Sequence, residues 1–117
     1  MLDIAAIMCM SLTMFHEARG EPISGQVAVG YVLYRRADFD QKKICSETFK
    51  ADQFEWTKKT KHVPPYDTLK PFIELSQKII KQEIKDSSKG ASYFHHIKLD
   101  NQWGMKPRII INNHIFY

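Results

Sequence analysis

The fold is decided by the stretch at residues 3–16, which reads DIAAIMCMSLTMFH. Apolar residues recur in it at the three- and four-residue spacing of one helix face, at Ile4, Ile7, Met8, Leu12 and Phe15. Asp3 is available to cap the first turn, and Arg19-Gly20 is typical of a helix end. Because the other positions are mostly small or apolar, we expect this helix to be buried in the middle of the domain.

Two further long helices are predicted downstream. One runs from Gly25 to about Ala37 with Ser24 as its N-cap, and Gly30 inside it predicts close approach of a neighbouring helix. The other is predicted to begin at Pro71 and to end at residues 87–90. Its apolar stripe consists of Phe72, Leu75, Ile79, Ile80 and Ile84. Residues 44–57 predict a short helix and a turn.

The carboxyl-terminal part of the chain indicates β-structure. Residues 109–117 read IIINNHIFY, which predicts two short β segments about a turn at Asn112-Asn113. Residues 91–96 are short and aromatic, as expected of a strand or an extended segment. The fold class predicted is therefore mainly α (α+β), a single domain over residues 1–117 with a small β element near the C-terminus.

Composition limits the class of protein. A chain of 117 residues buries one core, and its 44% hydrophobic and 26% charged residues argue against disorder, a fibre or a multi-span membrane protein. The apolar run at residues 4–15 is too short for a transmembrane helix. Asp3 stands where a signal peptide has basic residues, so we expect no signal peptide and infer no compartment.

The cysteines and histidines point to no metal or cofactor. Cys9 and Cys45 are the only cysteines, and we expect both to be free thiols, with Cys9 packed as a small core residue. His16-Glu17 resembles the start of a zinc-protease helix, but the second ligand would fall at Gly20. We therefore expect neither a metal nor another cofactor.

The net charge of +4 favours an anionic partner. Positive charge is densest in the basic loop at Lys58, Lys59 and Lys61 with His62. This loop is either solvated or a patch that docks a polymer. Since no nucleic-acid motif accompanies it, no nucleic-acid partner is expected.

The candidate for chemistry is Glu17, in the stretch FHEARGEP at residues 15–22. A carboxyl group at the end of an apolar helix has its charged form disfavoured, which raises its pKa and suits a general acid. The alternative is a carboxylate at a helix end that pairs with Arg19 or another surface cation.

Several segments resemble one known family. They are HEARGEP at 16–22, GQVAV at 25–29, QFEW at 53–56, GASYFH at 90–95 and NHIFY at 113–117. This set resembles the cell-wall hydrolases that include the bacterial spore cortex-lytic enzymes, and it covers nearly the whole chain. The resemblance implies a lysozyme-like helical domain that cleaves the β-1,4 bond between N-acetylmuramic acid and N-acetylglucosamine. It also implies one essential Glu at Glu17, often in a lytic transglycosylase.

The resemblance and the chemistry together give a set of candidate site residues. Trp56 and Tyr93 are predicted either to stack on sugars or to pack in the core, and Phe94 is expected to lie beside the substrate. Gln26, Gln53 and His114 are expected to bind acetamido or hydroxyl groups, with Arg19 and Glu21 in support.

We favour a lytic transglycosylase, in which the sugar's own C6 hydroxyl attacks and a second carboxylate is not needed. A muramidase that uses water stays open, and its second carboxylate would be Glu21, Asp52 or Glu55. Noncatalytic roles are also predicted for two of these acids, a first-turn helix charge for Glu21 and a turn cap for Asp52. The alternative function outside the enzymes is a noncatalytic domain that binds anionic polymers. We expect a monomer that acts on peptidoglycan glycan strands, as a phage endolysin or virion-associated lysin or as a bacterial enzyme.

Overall fold

A computed structural model of the chain describes residues 1–50, 54–59, 63–101 and 103–117. Its helices are α1 (Ile4–Ala18), α2 (Ile23–Arg36), α3 (Ile44–Thr48), α4 (Trp56–Lys59) and α5 (Tyr66–Ile80), with a 3-10 turn at Gln41–Lys43. The strands are β1 (Phe94–His96), β2 (Ile109–Ile111) and β3 (His114–Phe116). The predicted class, mainly α with a small β element near the C-terminus, is confirmed. Within the described ranges no helix has the length and apolar character needed to cross a membrane.

Helix α1 is the centre of the packing, as its sequence predicts. The Asp3 carboxylate accepts hydrogen bonds from the Ala5 and Ala6 N–H groups at 2.9 and 3.3 Å, which caps the helix. Met10 and Met14 are fully buried, and α1 contacts α2, α3 and α5. Helix α1 is therefore held by three other helices.

Helix α2 begins earlier than predicted. Pro22 is its N-cap with extended backbone angles, and Ser24 makes no capping hydrogen bond because it lies inside the first turn. The prediction for Gly30 is confirmed. A Cβ atom there would lie 2.5 Å from Ile79 Cδ1 and 3.0 Å from Met14 Sδ, so glycine lets α1 and α5 pack closely against α2.

Helix α5 has different bounds from those predicted. It begins at Tyr66 after Pro65, and Pro71 lies within it. It ends at Ile80 because Gln82 takes a positive φ of 55°, with the Glu83 N–H donating to the Lys78 carbonyl at 2.8 Å. This is a Schellman ending, and it stops the helix before Ile84.

The three strands form one antiparallel sheet in the order β1-β3-β2. The predicted turn at Asn112-Asn113 is confirmed, and Asn112 has a φ of 48°, which asparagine tolerates better than most residues. Phe116, in the central strand, is fully buried against the helical core. The hairpin of β2 and β3 is thereby anchored to the helices.

The prediction of two free thiols is wrong, because Cys9 and Cys45 form a disulfide with their Cα atoms 5.4 Å apart. Helix α3 packs against α1, which brings Cys45 opposite Cys9. Two cysteines separated by 36 residues carry no sequence signal of this packing. Closing such a loop stabilises the fold by about 3–4 kcal/mol on the chain-entropy model.

Candidate active site

A cleft of about 500 Å³ opens between the end of α1, the second half of α2 and the sheet. Four of the predicted site residues line it, namely Glu17, Tyr93, Phe94 and His114. Arg19, Glu21, Gln26 and Trp56 do not line the cleft, and Gln53 lies outside the described residues, as do Asp52, Lys61 and His62. The site is therefore built from the end of α1, the start of the sheet and its central strand.

Glu17 lies in the last turn of α1 with its side chain half-buried in the cleft. Burial, together with the nearby charge of Glu55, raises the pKa of Glu17 from 4.5 to about 7. Within the described part of the chain the Glu17 carboxyl has no hydrogen bond or ion pair. Arg19, its expected partner in the alternative interpretation, instead places its guanidinium 4.8 Å from the centre of the Phe15 ring. Glu17 can thus hold its proton near neutral pH and release it to a group in the cleft.

Glu55 is the second carboxylate of the cleft. Its side chain is largely exposed and lies 3.0 Å from Lys59 Nζ in an ion pair one helical turn away. A solvated pair of this kind holds its position weakly. Its charge nevertheless reaches Glu17, because like charges in one cleft disfavour ionisation of the more buried one.

Glu21 has a role that the sequence did not predict. It precedes α2 and is not a first-turn helix charge, and its side chain is only 5% exposed. It accepts hydrogen bonds from the Asn113 N–H at 3.0 Å, the Asn112 Nδ2 at 2.8 Å and the Asn113 Nδ2 at 3.2 Å. Burial alone would raise the pKa of Glu21, but these bonds and His114 hold it below its ordinary value. Glu21 thus ties the α1–α2 junction to the β2–β3 turn.

His114 connects the hydrogen bonds around Glu21 to the cleft. Its Nδ1 lies 3.1 Å from the Glu21 carboxylate, so Nδ1 carries the proton and donates it. The other ring nitrogen, Nε2, is then the acceptor. Burial lowers the pKa of His114 despite the opposing effect of Glu21, which keeps the ring neutral at pH 7. His114 therefore offers a hydrogen-bond acceptor of fixed orientation.

Aromatic side chains at and beyond β1 form one wall of the cleft, and sequence reasoning missed part of this wall. Tyr93 is exposed, and the Arg36 guanidinium lies 4.7 Å from the centre of its ring. Trp103 lies 5.6 Å from Tyr93 and 5.2 Å from His95, ring centre to ring centre. The cleft thus includes residues that were not proposed as site residues, among them Arg36, His95 and Trp103. The sequence signal that could have identified Trp103 is a tryptophan shortly after the aromatic segment at residues 91–96.

Trp56 and Gln26 serve the site indirectly. The Trp56 indole stacks on His16 with ring centres 4.4 Å apart, so it packs behind the end of α1 and not in the cleft. Its buried Nε1 has no hydrogen-bond partner among the residues described. The Gln26 amide donates to the Glu21 carbonyl at 3.1 Å. Both side chains support the segment that carries the two glutamates.

A comparison with family models matches the chain to the model described as Cell Wall Hydrolase, over residues 20–117. The chain belongs to this cell-wall hydrolase family. The match contains Glu21, Tyr93 and His114 and begins three residues after Glu17. No curated protein and no solved structure matches the chain. Membership makes the chain a hydrolase of the cell wall, with peptidoglycan as its general substrate.

Proposed function

We propose that this cell-wall hydrolase cleaves the β-1,4 bond between N-acetylmuramic acid and N-acetylglucosamine, with Glu17 as general acid and base. The observation that carries the proposal is the environment of Glu17, a half-buried carboxyl in a cleft with its pKa raised to about 7. A carboxyl with this pKa is well matched to proton transfer near neutral pH.

The chemistry proceeds in two steps at one carboxyl group. Protonated Glu17 donates its proton to the glycosidic oxygen as the bond from that oxygen to the muramyl C1 breaks. The resulting carboxylate then accepts the proton of the C6 hydroxyl while that oxygen attacks C1 of the same sugar. Because nucleophile and electrophile belong to one residue, the second step gains from proximity. The product carries a 1,6-anhydro end, as in a lytic transglycosylase.

The neutral His114 and the aromatic wall would position the strand. The acceptor nitrogen of His114 suits a substrate hydroxyl or amide N–H, and Tyr93 offers an exposed ring to a sugar face. Arg36 holds the Tyr93 segment through its contact with that ring and a hydrogen bond from Nη1 to the Ser92 carbonyl at 3.3 Å.

A muramidase that uses water is the second candidate, and the observation that favours it is Glu55 in the same cleft. Glu21 does not serve as its second carboxylate, since its oxygens are taken up by the β2–β3 turn and His114. We favour the transglycosylase because Glu55 is exposed and paired with Lys59. A noncatalytic polymer binder rests on net charge alone. Action as a monomeric endolysin or virion-associated lysin is proposed with the same substrate.

Mass spectrometry of digested peptidoglycan tests the proposal. We expect 1,6-anhydro-muramyl ends from the parent and from Glu55→Gln, and neither end from Glu17→Gln. Reducing muramyl ends that disappear in Glu55→Gln would establish the muramidase instead. Reducing N-acetylglucosamine ends, or released peptides with intact glycan, would overturn the assignment of the bond.

A further inference from the structure

A second cavity of about 300 Å³ adjoins the cleft. Its lining residues are His95, Lys98, Leu99, Asp100 and Trp103. His95, Leu99 and Trp103 also line the cleft that contains Glu17, so the two spaces adjoin at these three residues. A polymer seated in the cleft therefore lies next to the second cavity at Trp103.

The Trp103 ring, where the two spaces adjoin, is exposed yet held in place. Its side chain is 45% exposed, and its ring centre lies 5.2 Å from that of Tyr117, edge to face. His95 packs at 5.2 Å on the same indole and is itself fixed by two hydrogen bonds. Its Nδ1 donates to the His96 carbonyl at 2.8 Å, which leaves Nε2 to accept from the Tyr117 hydroxyl at 2.9 Å.

The backbone beneath the indole is also fixed. The Asn101 side-chain oxygen accepts from the Trp103 and Gly104 N–H groups at 3.1 and 3.2 Å, and its amide donates to the Met105 carbonyl at 2.9 Å. An exposed aromatic ring that is already ordered loses little conformational entropy when a ligand covers it. Such a ring is a binding platform and not an idle surface side chain.

We propose that the second cavity is a distal subsite for one further sugar ring of the glycan strand, stacked on Trp103; this inference rests on the proposed glycosidase function. A pyranose ring presents a face of C–H groups to an aromatic plane and hydroxyl groups at its rim. The cavity offers both partners, because the indole lies beside the charged side chains of Lys98 and Asp100. Because the cavity shares His95, Leu99 and Trp103 with the cleft, its occupant is the same strand whose bond is cleaved at Glu17.

The test measures cleavage of peptide-free glycan oligosaccharides of increasing length. In the parent, kcat/KM should rise when the chain becomes long enough to reach the distal subsite. In Trp103→Ala the ratio of kcat/KM for long chains to that for short chains should fall about tenfold, as expected for loss of one stacking contact of about 1.4 kcal/mol. Trp103→Phe should keep the ratio within about threefold of the parent.

The matched control is Ile110→Ala, an exposed apolar side chain on β2 outside both cavities, which should leave the ratio unchanged. Circular dichroism and thermal melting identify any variant that fails to fold. If Trp103→Ala is one, Trp103→Leu, which keeps apolar bulk but has no aromatic face, replaces it with the same expected fall in the ratio. A ratio that is independent of residue 103 overturns the subsite, as does Trp103 dependence seen only on chains that carry stem peptides. Failure of the parent to cleave chains of any length would instead overturn the proposed function.

Discussion

Two glutamates four residues apart in the segment HEARGE, residues 16–21, have opposite environments. Glu17 ends α1 in an open cleft, without a hydrogen bond among the described residues, and its pKa rises to about 7. Glu21 also has a side chain with little exposure, but hydrogen bonds from the β2–β3 turn and the nearby His114 lower its pKa. Burial disfavours the charged form in both cases, and the hydrogen-bond donors and neighbouring charges decide the direction of each shift. The difference shows that one motif contains a carboxyl group that keeps its proton near neutral pH and a carboxylate held in its charged form by the fold.

The first prediction concerns the activity of Glu17→Gln, the largest effect. The amide keeps the volume of the carboxyl but cannot donate and accept a proton, so cleavage should fall by about 10²–10⁴-fold or more. Release of soluble glycan from purified peptidoglycan measures it. The control is Glu74→Gln, an exposed acid on α5 that should behave as the parent. Activity of Glu17→Gln within a few-fold of the parent would remove Glu17 as the catalyst.

Glu21→Gln should affect stability instead. Replacing a buried carboxylate that accepts several hydrogen bonds should lower the free energy of unfolding at pH 7 by about 3 kcal/mol, measured by urea denaturation. Because the folded-state pKa of Glu21 lies below its ordinary value, its contribution is present above about pH 4.5 and is lost as pH falls through the lower pKa. An unchanged unfolding midpoint at pH 7 would show that the turn does not depend on Glu21.

Glu17→Gln should raise the free energy of unfolding, whereas Glu21→Gln should lower it. A folded-state pKa near 7 means that the folded protein keeps a proton that the unfolded chain loses above about pH 4.5. Glu17 therefore destabilises the fold increasingly from pH 4.5 to about 7. At pH 8, Glu17→Gln should be more stable than the parent by about 3 kcal/mol, and at pH 4 the two should unfold alike. Equal stability at both pH values would argue against the raised pKa.

The smallest effect is expected from Glu55→Gln. Removing this charge should lower the pKa of Glu17, so the decline of kcat/KM above about pH 7 should begin a few tenths of a pH unit earlier. The shift should shrink in high salt because Glu55 is exposed. A pH profile that is identical to the parent's in low salt would show that burial alone sets the pKa of Glu17.

Local features of this chain were predictable from sequence. Helix α1 was predicted from the apolar spacing that follows Asp3, and the hairpin from the residues of the 112–113 turn. The close helix contact was predicted from Gly30. Each prediction depends on backbone geometry within a few residues. The position of Glu17 at the end of an apolar helix likewise predicted a raised pKa. The bounds of α5 were missed because Pro71 is tolerated inside it and Gln82 supplies the turn.

Features that depend on distant segments were not predictable. The Cys9–Cys45 disulfide requires α3 to pack against α1. The role of Glu21 depends on a turn more than ninety residues away, at Asn113. The sequence left both sugar stacking and packing open for Trp56, which stacks on His16, since nothing local distinguishes an aromatic ring behind a helix from one in a cleft.

The most direct test of the comparison is a ¹³C NMR titration of the glutamate side-chain carboxyl groups in the folded protein. Glu17→Gln and Glu21→Gln assign the two resonances by their disappearance. We predict a midpoint of about 7 for Glu17 and a midpoint below 4.5 for Glu21. Midpoints near 4.5 for both, or a value for Glu17 at or below that of Glu21, would contradict the assignment of Glu17 as the proton donor.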